Sequence, residues 1–206
     1  MLLTKKKSDF ILFKQAVEIM NKKGHLSIEG LNQIISIKAS MNLGLSDIIN
    51  SKNDFDKIIP VSRPLVVIDD INDPNWVAGF FTGEGCFDVK ITKSISHKIG
   101  SQIQLRFRIY QHERDIKLME QLIKFLGSGK IEKDTRKPLV SLTIIKFSDI
   151  SNIIIPFFEK YSVKGEKYFN YLDWCKIAKL MKEKSHLTIQ GVDLIRDIKS
   201  GMNKGR

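Results

Sequence analysis

The chain has 206 residues, a net charge of +11, and 42% hydrophobic and 28% charged residues, enough for one sizeable core and unlike a disordered tail or a fibre. Its 2 cysteines exclude a disulfide framework or a cysteine zinc site and point to a reducing compartment. No apolar run reaches membrane-spanning length, and Met1-Leu-Leu-Thr-Lys-Lys-Lys7 is too short and too soon charged for a secretory signal.

The charge is uneven. Residues 1–44 carry 7 Lys/Arg against 3 Asp/Glu, residues 45–73 carry 3 against 6, and residues 74–206 carry 24 against 14. A concentrated basic region suits a polyanionic partner, and the acidic stretch suits staying off one. In chain order, Ser8–Asn21 has helical spacing, and Ser27 can cap a second helix. Residues 45–73 read as an extended acidic linker, with Pro60, Pro64 and the adjoining Pro74 against helix and Leu65-Val-Val-Ile68 as a β-branched run.

Asp73-Pro74 starts an apolar helix that ends near Glu84-Gly85, with proline in its first turn. A glycine inside a helix costs about 1 kcal/mol relative to alanine. Gly79 and Gly83, four apart, therefore imply close approach by another helix, with Val77, Gly79, Phe80 and Gly83 at the interface. Trp76, Trp174 and Phe157-Phe158 are expected in the core.

Cys86–Lys93 and Gln102–Gln111 read as strands about a polar turn, Ser94–Ser101. Alternation puts Gln102, Gln104, Arg106 and Arg108 on one face of the second strand, and Asp88, Lys90 and Thr92 on one face of the first. Arginine can donate bidentately to guanine and glutamine to adenine, and Asp88 could accept from cytosine, so this face suits reading a DNA major groove. Glu113–Leu126 reads as a helix stopped by Gly127-Ser-Gly129, with His112 marking its start. Lys130–Asp134 and Leu139–Lys146 form a second strand pair, with Lys130 and Glu132 in phase, and Ser141 and Thr143 in phase, as further DNA contacts. Ser148 can cap a helix that Pro156 ends or kinks. His25 and His186 are read as structural, and Asn203-Lys204 as a candidate backbone-phosphate contact.

The chain repeats itself. His25–Gly44 matches His186–Gly205 at an offset of 161, with 10 of 20 positions identical. Glu84 stands 102 residues before His186, and the same distance before His25 falls ahead of Met1. The expected organisation is a helical tail of a truncated first unit (1–44), the linker (45–73) and one complete unit (74–206).

Val77-Ala-Gly-Phe-Phe-Thr-Gly-Glu-Gly85 resembles the signature of the LAGLIDADG homing endonucleases, in the variant ending Gly-Glu-Gly. Cys86-Phe87, Ile109-Tyr-Gln-His112, Gly127-Ser-Gly129, Lys146-Phe-Ser-Asp-Ile150 and Asp173-Trp-Cys175 are similar to the C-terminal half of its I-OnuI-like monomeric group. The resemblance implies an α+β fold, a saddle-shaped αββαββα unit with extra C-terminal helices. It also implies site-specific cleavage of double-stranded DNA by divalent-metal-assisted hydrolysis. Glu84 would be the catalytic, metal-binding acid, with the Gly83 carbonyl as a second ligand and Mg²⁺, or another divalent cation, as cofactor.

One carboxylate holds Mg²⁺ poorly, so a second LAGLIDADG half, from a homodimer or a complementary chain, should supply another. By resemblance, Gln104 positions water near the active centre. The lysine often found on the third strand is replaced here by Glu132, with Lys130 and Lys133 beside it. An organelle-encoded, mitochondrial location follows from the same resemblance and suits the Ile-, Lys- and Asn-rich composition. Two other readings use the same scaffold: an intron maturase holding intron RNA, and an inactive nucleic-acid-binding remnant. No membrane partner is expected.

Overall fold

The computed structural model describes residues 4–42, 44–46, 58–68, 70–95 and 99–203, and the chain divides into two compact units, residues 1–69 and 70–206. In the first unit, α1 (Lys6–Asn21) and α2 (Ile28–Ala39) are joined by a tight turn that Lys23 enters at φ 59°. Ser27 caps α2 by accepting from the Gly30 amide at 3.1 Å. Residues 58–64 of the expected linker lie against this helix pair and form neither helix nor strand. The Val61 amide donates to the Ser36 carbonyl at 3.3 Å, the Ser8 hydroxyl to the Pro64 carbonyl at 2.6 Å, and Arg63 pairs with Asp9 at 2.9 Å. Residues 47–57 and 69 of that stretch lie outside the described residues, as do residues 96–98 and Lys204.

The second unit begins with α3 (Pro74–Glu84), followed by β1 (Gly85–Lys93), β2 (Ser101–His112), α4 (Ile116–Leu126), β3 (Lys130–Lys133) and β4 (Leu139–Ile144). The strands form one antiparallel sheet in the order β1-β2-β4-β3. A continuous helical run follows, made of α5 (Phe147–Asp149), a π-helical turn (Ile150–Ile154) and α6 (Ile155–Lys160). Ser148 lies within this run and bonds its neighbour Asp149 at 3.1 Å instead of capping it. Pro156 does not end the helix. Its ring would crowd the carbonyl one turn back, and the wider π turn just before it gives that carbonyl room.

The unit closes with α7 (Glu166–Lys182) and α8 (Ile189–Ser200). One face of the sheet is apolar, and this helix pair covers part of it. Phe87 of β1 lies 5.3 Å from Tyr171 and 5.1 Å from Trp174, whose indole donates to the Asp88 carbonyl at 3.1 Å. Phe81 of α3 stacks on Phe107 at 4.4 Å, and Phe158 closes the cluster. Such aromatic pairs add about 1 kcal/mol each beyond their buried area. Leu118, Met119 and Leu122 of α4 are fully buried, and Gly127 ends that helix at φ 69°.

The sequence repeat extends to its hydrogen bonds. Thr188 caps α8 through the Gly191 amide at 3.0 Å, as Ser27 does for Gly30. An added Cβ would fall 2.1 Å from the Gly24 carbonyl oxygen at Gly30 and 1.9 Å from the Ser185 carbonyl oxygen at Gly191, so the turn preceding each helix admits only glycine there. Asp9 accepts from the Asn42 amide at 3.0 Å, and Asn170, its counterpart in the repeat, accepts from the Asn203 amide at 2.8 Å. Asn203 also donates to the Phe87 carbonyl at 3.2 Å. It ties the end of the described residues to β1. Among the described residues no helix is long and apolar enough to cross a membrane.

Candidate active site and nucleic-acid interface

α3 is apolar on two sides, and the structure separates them. Asp73 caps it by accepting from the Asn75 amide at 2.9 Å, and Pro74 opens its first turn. Val77, Ala78 and Phe81 face the core. The opposite stripe is Trp76, Gly79, Phe80 and Gly83, spaced so that all lie on one helix face, with Trp76 and Phe80 stacked at 5.0 Å. A Cβ added to Gly79 or Gly83 would meet no atom within 4 Å. Two expectations change. Val77, at 0% exposure, belongs to its own unit's core and not to a helix interface, while Trp76 is only half-buried and shares the stripe.

The stripe ends at Glu84, whose side chain is exposed. The next residue needs glycine for a different reason from Gly83, because a Cβ on Gly85 would fall 2.1 Å from the Phe81 ring. The Gly85 carbonyl accepts from the ammonium of Lys167, on α7. Burial holds that ammonium below the ordinary lysine value, against the pull of Cys86 and Glu84. Thr82 fixes the same corner: its hydroxyl donates to the Ala78 carbonyl at 2.8 Å and accepts from the Lys164 amide at 3.4 Å. Lys167 was not singled out from sequence. The only signal was its position 82 residues after Gly85, where the helix pair folds back.

Strand register decides which side chains join Glu84. Gly85 pairs with Ile109 and Cys86 with Arg108, whereas Gln104 pairs with Lys90. Lys90 is five residues along β1 from Gly85, roughly 17 Å at the strand rise. Gln104 is therefore at the far end of the strand from Glu84, contrary to its expected water-positioning role. The polar side chains of β2 at the Glu84 end are Arg108, Tyr110 and Gln111.

The non-core sheet face carries Cys86, Asp88, Lys90 and Thr92 on β1, Gln102, Gln104, Arg106 and Arg108 on β2, Ser141 and Thr143 on β4, and Lys130 and Glu132 on β3. Asp88, expected to accept from cytosine, is engaged by arginines through one carboxylate oxygen. One of its oxygens takes the Arg106 Nε at 2.7 Å and also binds Arg108, which lies 5.4 Å from the Tyr110 ring. Lys130 and Glu132 pair at 2.6 Å, and that bond first, with Thr143 and Arg108, holds the Glu132 carboxyl below the usual range. Thr143 is 3% exposed, lies in register between Arg108 and Lys130, and donates to Glu132 at 3.5 Å. Its neighbours cover it, so it does not present to a ligand as expected. Gln102 and Lys90 are exposed, and Gln104, Thr92 and Ser141 are half-buried.

The donor set fits half of a metal site. Among the described residues no group of three or more His, Cys, Asp or Glu could hold a metal ion. Glu84 and the adjacent Gly83 carbonyl are two oxygen donors of the hard type that Mg²⁺ or Ca²⁺ takes, and both leave positions for water, phosphate or a second acid.

A family model described as "LAGLIDADG endonuclease" matches residues 77–178. "Probable intron-encoded endonuclease 3" of Neurospora crassa is 53% identical over 195 residues, covering 94% of this chain and 36% of that protein. "Probable intron-encoded endonuclease 2" of the same organism is 35% identical, over 98% of this chain and 45% of its own length. The chain thus spans under half the length of these curated relatives. The crystal structure of the I-SmaMI LAGLIDADG homing endonuclease bound to cleaved DNA aligns at a TM-score of 0.96 with 49% identity, over 100% of this chain and 68% of that one. I-LtrWI bound to target DNA aligns at 0.94 with 41% identity, likewise over 68% of its chain. By motif, fold and relatives alike, the chain belongs to the LAGLIDADG endonuclease family.

Proposed function

We propose that the chain is the DNA-cutting half of a site-specific homing endonuclease, completed by a second motif-bearing half. The observation that carries this reading is an exposed carboxylate, Glu84, at the end of an open glycine stripe and beside a polar sheet face. The sheet face would lie along a major groove. Lys90 and Gln102 are presented directly, and Arg106 and Arg108 are held at fixed spacing by Asp88. The open face of α3 would take a second motif helix, and the missing side chains at Gly79 and Gly83 let the two backbones approach closely enough to set two acids side by side.

Glu84 and the Gly83 carbonyl, with the partner's acid and the scissile phosphates, would hold the divalent cation. When bound, such a cation activates water and stabilises the leaving oxygen of an in-line displacement. The chain's own residues do the rest. Glu84 orients and accepts from the attacking water, while Lys167, fixed through the Gly85 carbonyl, puts positive charge beside the phosphate as its own charge grows. Mg²⁺ is the natural cation for this oxygen set. The intron-encoded names of the relatives support a mitochondrial, intron-borne origin for this chain.

The test is binding of the purified chain to duplex DNA across a salt series, with folded RNA as competitor. The reading predicts that log K falls steeply with log salt, by about 0.9 per phosphate contact, and that duplex DNA outcompetes RNA. Salt-indifferent binding contradicts the sheet-face assignment, and preference for RNA favours the maturase reading.

A further inference from the structure

A cleft of about 460 Å³ lies where α8 meets the end of the β1–β2 ladder. Thr92, Lys93 and Ser101 line it from the strands, and Arg196, Lys199 and Ser200 from α8. Three cations therefore share one cleft, and no acid among the described residues lines it. Lys93 pairs with Ser101, and the two alternate in phase with the core residues Phe87 and Ile103, whereas Thr92 belongs to the polar face. Because β1 is an outer strand of the sheet, the cleft opens round its edge from one side of the sheet to the other.

Arg196 is oriented before any ligand arrives. Its Nη2 donates to the Ser101 hydroxyl at 3.3 Å and its Nη1 to Asp193 at 2.8 Å, which leaves further N–H groups for an acceptor. Ser101 is buried, so the first bond anchors the guanidinium to the strand end. The internal repeat shows that the fold does not need this cation. At the offset of 161, Arg196 corresponds to Ile35 and Asp193 to Asn32, whereas Lys199 corresponds to Lys38. A forked guanidinium and two ammonium groups around a hydroxyl-lined cleft match the charge and shape of a phosphate. We propose that this cleft is a phosphate site, filled by a backbone phosphate of the bound duplex outside the groove-facing side of the sheet. The inference rests on the nuclease reading and deepens it by adding an anchor remote from the cut. Lys93 is eight residues along β1 from Gly85, roughly 27 Å at the strand rise and about the length of eight base pairs. Phosphate contacts fix position without reading sequence, so the cleft holds the duplex in place and leaves selection to the sheet face.

The experiment uses the full 206-residue chain in two arms. In the first, inorganic phosphate is titrated while NMR follows the Ser101 amide. In the second, duplex DNA is titrated across a salt series. Saturable movement of the Ser101 signal is expected, weakened at least fivefold in Arg196→Ala and in Lys199→Ala and restored in Arg196→Lys. The double variant Arg196→Ala/Lys199→Ala should flatten the salt slope of duplex binding by about 0.9, one phosphate contact. Lys176→Ala, which removes an exposed cation of α7 paired with Asp173, should change neither readout. A silent Ser101 signal overturns the site, even if the slope falls, because charge alone would then explain the slope. A Ser101 response with an unaltered slope in the double variant overturns the duplex assignment and makes free phosphate the ligand. Failure of the unaltered chain to bind duplex, with phosphate still seated beside Ser101, indicts the nuclease reading and leaves the phosphate site standing.

Discussion

Asp88 on β1 lies directly across from Arg106 on β2 and accepts from its Nε at 2.7 Å, while the same oxygen holds Arg108. One acid thereby fixes the spacing of two guanidinium groups on the non-core side of the sheet. Asp88→Asn should release them. Affinity for unrelated duplex DNA should rise several-fold at low salt, with a salt slope steeper by about 0.9 for each new phosphate contact, and discrimination between sites should fall. An unchanged slope would mean that the arginines do not reach DNA.

The three glycines around Glu84 should respond in opposite directions. Gly79→Ala and Gly83→Ala place a Cβ in open space and should raise the chain's own stability by up to about 1 kcal/mol. They should nonetheless weaken assembly with the second half. Gly85→Ala drives a Cβ into the Phe81 ring and should cost about 1–3 kcal/mol. Thermal melts and co-elution of the three variants separate these effects.

Contacts written within a few residues were legible in the sequence: the Asp73-Pro74 helix start, the alternation of Gln102 to Arg108 and the Ser27 and Thr188 caps all stand in the structure. What was missed depends on pairing across the fold. α3 is apolar on both sides, so its sequence could not tell that Val77 turns inward and Trp76 outward. The stretch from Gln102 to Arg108 contains no acid, and the acid that engages it comes from the neighbouring strand. Antiparallel register carried Gln104 away from Glu84, and the return of α7 brought Lys167 in.

The same register yields a contrast on the sheet face. Thr143→Val should leave DNA affinity within twofold, because its hydroxyl is already covered and bonded to Glu132. Lys90→Ala, which removes an exposed cation, should flatten the salt slope by about 0.9. Titration of both variants in parallel checks the pair.

Lys167 should set an alkaline limit on cutting. Burial lowers its pKa, so its charge is lost as pH rises through a value below that of an ordinary lysine. The cleavage rate of the assembled enzyme should fall on that limb. Lys167→Arg, whose guanidinium does not titrate there, should remove the limb, and Lys167→Met should cost about 10²-fold or more at neutral pH. A pH profile of Lys167→Arg identical to that of the unaltered chain would exclude the ammonium from the reaction.

Glu84→Gln, assembled with a second half and given Mg²⁺ and bound target duplex, tests the central claim most directly. Loss of the charge without loss of shape should leave duplex affinity within about twofold and abolish double-strand breaks. Double-strand cutting by Glu84→Gln at the rate of the unaltered chain would contradict the account.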